Sequence, residues 1–146
     1  MSALSDYLEN KIIDHVFRAT AYTAPATMYV GLLTAAPSDT GGGTEVSGNA
    51  YARVAVTNGL TAWAGTQSAG STTASSGTGG TTSNNAVITF PTPTPSGWGT
   101  VVAVGVYDAS TAGNLLWYTT LTVSKTINAG DVVDFPAASL TFQIDN

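Results

Sequence analysis

No charged residue stands between Arg53 and Asp108. This gap constrains the fold more than any other feature of the chain. Its middle, residues 64–85, is Ser, Thr, Gly, Ala and Asn almost throughout. Such a segment has too little apolar area to offset the entropy of ordering it, and it is too polar to be core. Loops longer than about 12–15 residues are usually functional or disordered. A disordered tail normally carries charge, so contact with another protein is expected instead. The segment is therefore expected to lie on a partner or to protrude, and residues 66–84 are expected to be dispensable for folding.

Either side of that segment the pattern is β. Thr27 to Leu33 is a continuous apolar run of strand length, which suits burial on both faces. Residues 34–50 follow as a second long loop, with Pro37, Asp39, Gly41, Gly42, Gly43 and Gly48 as turn formers. Tyr51 to Thr57 alternates, with Val54 and Val56 on one face and Arg53 on the other. Further strands are expected at Ala86 to Phe90, Thr100 to Tyr107, Asn114 to Leu121, Asp131 to Phe135 and Leu140 to Ile144. The N-terminal stretch differs. Leu4, Leu8, Ile12 and Val16 recur at four-residue spacing, widened by Ile13 and Phe17, which predicts an amphipathic helix over about 4–18 whose stripe buries against the sandwich or a neighbouring subunit. Asp6 and Glu9 near its start and Arg18 at its end suit the helix dipole. The 146 residues make one domain, 1–146. Its expected class is mainly β: a β-sandwich or jelly-roll-like barrel with one N-terminal helix.

Composition excludes several functions. Charged residues are 9% of the chain, against about 25% in a typical globular protein. Four cations and a formal charge of −5 cannot build a basic face, so direct nucleic-acid binding is not expected. Without Cys there is no disulfide, thiolate metal site or cysteine nucleophile. No apolar run reaches the ~18–20 residues of a transmembrane helix, and the acidic start is wrong for a secretion signal. A protein made in a cytoplasm and not bound to membrane is expected.

The residues that carry chemistry elsewhere point to none here. His15 is the lone histidine, and its neighbour Asp14 points to another part of the helix surface. Asp39 with Glu45, and Asp131 with Asp134, lack the close alternating spacing of a calcium loop. The runs Gly41 to Gly43 and Gly77 to Gly80 lack the Lys and following helix of a phosphate loop. Trp63, Trp98 and Trp117 fit core or protein interface better than a sugar platform. No catalytic, cofactor or metal residue is assigned, and no enzyme activity is expected. The candidates for protein contact are Leu8, Ile12, Arg53, Trp63 and Trp98.

Four segments carry a resemblance: Met1 to His15, Tyr29-Val-Gly-Leu-Leu-Thr-Ala-Ala-Pro37, Gly41 to Gly48 with Tyr51-Ala-Arg-Val54, and Trp98 to Val101. Together the chain resembles a family of small tailed-phage virion structural proteins, often given the automatic name tail fiber protein. The resemblance covers most of the chain and departs mainly at 64–85. It implies a structural role with no enzyme activity and no cofactor. A short, repeat-free, low-charge domain suits a capsid decoration or cement protein on the outer capsid surface. Its expected partners are then the major capsid protein and copies of itself, with a trimer as one arrangement. The alternative is a tail or baseplate component bound to other tail proteins. A carbohydrate-binding fibre tip ranks third.

Overall fold

A computed structural model describes residues 2–144. The chain runs β1 (Ser2–Leu4), α1 (Asp6–Phe17), β2 (Thr27–Ala35), β3 (Thr44–Glu45), β4 (Val54–Thr57), β5 (Thr81–Ser83), β6 (Ile88–Thr89), β7 (Gly99–Tyr107), β8 (Leu115–Ile127), β9 (Asp134–Phe135) and β10 (Thr141–Gln143). It is a mainly β, single small domain with one helix near the N-terminus and several antiparallel sheets.

The main sheet has the order β1-β8-β7-β2-β3, and β4 also pairs with β2. Its centre is made from the Val-rich runs. Val30 and Leu32 of β2 and Val101, Val104 and Val106 of β7 point to one side. The ladders β5–β10 and β6–β9 cover that side with Ile88, Phe90, Val133, Leu140 and Phe142. The intervening residues of β2, Gly31 and Leu33, are buried on the opposite face. The continuous apolar run thus reflects burial on both faces.

The helix differs from its expected course. Leu4 lies in β1, paired with Trp117, and not on α1. Of the expected stripe only Leu8 is buried within the helix; Ile12 is 37% and Val16 61% exposed. The cause is at Ser5. Its backbone N–H donates to Leu116 O, and its buried hydroxyl accepts from Leu8 N and donates to Leu115 O. This cap pins the first turn to β8, and the later turns rise away from the sheet. The helix ends as Arg18 N and Thr20 N both donate to Asp14 O, and His15 Nδ1 accepts from Tyr22 N at 3.1 Å.

The two long loops are also more ordered than expected. Residues 34–50 contain the end of β2, all of β3 and buried Val46. Residues 64–85 contain β5 and the buried Asn84. The exposed part, 66–79, holds itself together. Gln67 Nε2 donates to Ser71 Oγ, Thr73 Oγ1 and Ala74 O, Gln67 Oε1 accepts from Ser76 N, and Gly77 N donates to Thr66 Oγ1. The Ser/Thr composition supplies bonds within the loop, so its order does not depend on a partner's bonds. Residues 1, 145 and 146 of the expected domain lie outside the described residues.

The bonds of Asn84 argue against the expectation that 66–84 is dispensable. Its amide donates to Ala86 O at 2.8 Å and Pro136 O at 2.9 Å, and its oxygen accepts from Leu140 N at 2.9 Å. The Leu140 N–H is buried, and leaving it unpaired costs about 1–3 kcal/mol, whereas Pro136 O also accepts from Ser139. Asn84→Ala is expected to lower the unfolding free energy by about 1–3 kcal/mol. Urea unfolding followed by circular dichroism checks this, and an unchanged midpoint contradicts it.

Candidate interaction surface

Arg53, one of the sequence candidates, does not project to solvent. Its guanidinium meets Glu45 in a two-point fork, Nε to Oε1 and Nη2 to Oε2, both 2.7 Å. Its remaining nitrogen Nη1 donates to Ala109 O at 2.7 Å and Ala112 O at 2.8 Å in the β7–β8 turn. The guanidinium carbon lies 3.5 Å from the centre of the Tyr107 ring. The Arg53 side chain is 6% exposed. Burial opposes its charge, but the hydrogen bonds and charge of Glu45 outweigh that and hold its pKa above the ordinary value.

Tyr51 completes the cluster. Along β2, β4 pairs as far as Val30, and β3 begins at Leu33. The Leu32 N–H between them donates to the Tyr51 hydroxyl at 2.8 Å, which donates in turn to Glu45 Oε1 at 2.9 Å. Burial, with the Glu45 charge adding to it, pushes the Tyr51 phenol far up. Two facing glycines, Gly31 and Gly105, make room for this arrangement. A Cβ on Gly31 would sit 2.8 Å from Glu45 Oε1, and one on Gly105 would sit 2.8 Å from Tyr107 Cε2.

The other candidates fall in different places. Trp98 is buried; its indole donates to Asn49 O at 3.0 Å and its ring packs edge-on against Tyr51. Leu8 is buried beneath the helix. Trp63 is half-buried and, with Leu8, Met28, Trp117 and Phe142, lines an apolar cavity of about 220 Å³. Ile12 is at the margin of the exposed side of α1. None of the five joins another in a single outward patch. Of the acids, Glu45 belongs to the Arg53 fork and Asp131 Oδ2 accepts from Asn128 N in a turn. Asp39 accepts from the Tyr118 hydroxyl, which pushes the phenol up to about 12.

The exposed apolar groups gather elsewhere. Of the nine large apolar side chains exposed among the described residues, four are on α1, with Ile13 50%, Val16 61% and Phe17 81% exposed, and the other five are spread over Leu60, Val87, Val123, Val132 and Ile144. The sequence predicts that the helix stripe buries against the sandwich or a neighbouring subunit, and the structure covers only its Leu8 side. Ile13 and Phe17, which widen the stripe in the sequence, are on the side left uncovered.

These features define a small antiparallel β domain braced by internal charge and presenting one uncovered helix. A family model described as Podophage GP4 fiber I protein gp80 matches residues 3–143. The chain belongs to that family, and it is a phage virion structural protein. No curated protein matches the chain.

Arg53→Ala would leave Glu45 without its cation and free two carbonyls of the β7–β8 turn. Removing one partner of a fully buried pair costs about 3–5 kcal/mol, and a smaller loss is expected here because Glu45 is 27% exposed. Arg53→Lys should recover only part of it, because one ammonium cannot reproduce the fork. Guanidinium unfolding of the two variants is the check; full recovery by Lys would contradict the geometric account.

Proposed function

We propose that this chain is a structural component of a phage tail fibre, holding other tail proteins and catalysing no reaction. The carrying observation is the match of nearly the whole chain to a family described by a fibre protein. The uncovered apolar face of α1 supports it, since exposed apolar groups grouped on one element mark a contact surface. The fibre description favours the tail over the capsid cement role that composition had suggested. The partners proposed are therefore tail proteins and not the major capsid protein.

Shearing purified virions and separating heads from tails tests this reading. The protein is expected with the tail fraction at low copy number per particle. Recovery with DNA-filled heads at high copy number would restore the cement reading and overturn this one.

A further inference from the structure

The exposed side of α1 has a composition that specifies its partner. At 100° per residue, Asp6, Glu9, Ile13, Val16 and Phe17 fall on one side of the helix, and buried Leu8 on the other. The spacing 6, 9, 13, 16 is the alternating three-and-four pattern of a helix seam. Along this side the N-terminal half is acidic and the C-terminal half apolar. Neither Asp6 nor Glu9 forms an ion pair among the described residues.

The chain's own cations do not answer those acids. Arg53 is held by Glu45, Arg18 pairs with Asp14 at 3.0 Å, Lys11 lies 5.5 Å from the Tyr7 ring centre, and Lys125 is on β8. The same helix of a second copy therefore complements this face poorly. Packed parallel, acids meet acids. Packed antiparallel, Asp6 and Glu9 meet Val16 and Phe17 and lose water without gaining a partner. The net charge of −5 adds general repulsion between copies.

We infer that this face of α1 docks into an apolar groove flanked by Lys or Arg on a different tail protein. This rests on the tail-fibre reading. Ile13, Val16 and Phe17 fill the groove, and Asp6 and Glu9 meet the cations at its edge. Such an arrangement gives apolar burial for affinity and rim charge for orientation and association rate.

The test adds purified chain back to phage particles grown without it and measures binding to their separated tails. Wild type is expected to bind saturably, more weakly at about 0.5 M salt. Phe17→Ser and Glu9→Lys should each weaken binding about tenfold or more. Val123→Ser, at an exposed site on β8, should bind as wild type does. Circular dichroism confirms that the variants fold, as expected for exposed positions. Phe17→Ser and Glu9→Lys binding like wild type would overturn this docking face while leaving the tail reading intact. Wild type failing to bind tails, or binding only heads, would overturn the tail reading and this inference with it. Sedimentation showing a wild-type oligomer that Phe17→Ser dissolves would overturn it in favour of a second copy.

Discussion

The fork between Arg53 and Glu45 ties together β3, the residue before β4 and the β7–β8 turn. It brings the start of β4 against β3, and its spare nitrogen fixes the β7–β8 turn. Through Tyr51 it also closes the break in pairing along β2. A buried ion pair contributes little net stability compared with apolar groups of the same shape. Its effect is on uniqueness, because a pair with each donor directed to a named acceptor tolerates few alternative arrangements. Gly31 and Gly105 carry the corresponding steric requirement, since any side chain there would occupy the space of the pair or of the Tyr107 ring.

The Arg53 fork braces one end of the sheet, and Asn84 binds the covering ladders through bonds inside the chain. What remains outward is the later part of α1 and the loop 66–79. They differ in kind. The loop directs its hydroxyls and amides largely to itself, and Gln67 acts as its staple. The helix leaves apolar groups in water, at a cost that contact with another protein removes. A virion component that must fold first and assemble afterwards fits this division between a self-sufficient domain and one unsatisfied face.

The strands were legible where burial on both faces wrote continuous apolar runs, as at Thr27 to Leu33 and Thr100 to Tyr107. The helix was legible from its period, but not its facing. Leu8 and Val16 look alike in a pattern, and the difference comes from Ser5 pinning only one end. The order inside 64–85 was not legible, because a Ser or Thr bonded within a loop and one bonded to a partner have the same composition. Nor was the role of Arg53. Alternation placed it on the outward face of a strand, and that face is covered by the β7–β8 turn. A hint lay in its position: Glu45 and Arg53 are the last two charges before the uncharged stretch.

The central claim is that a self-braced β domain is held in the phage tail by the outer side of its helix. A reconstruction of the intact particle at side-chain resolution tests this most directly. The account predicts the domain at the tail, with Ile13, Val16 and Phe17 covered by another protein that places Lys or Arg beside Asp6 and Glu9. A domain seated on the capsid shell, or one at the tail with this side of α1 open to solvent, would contradict it.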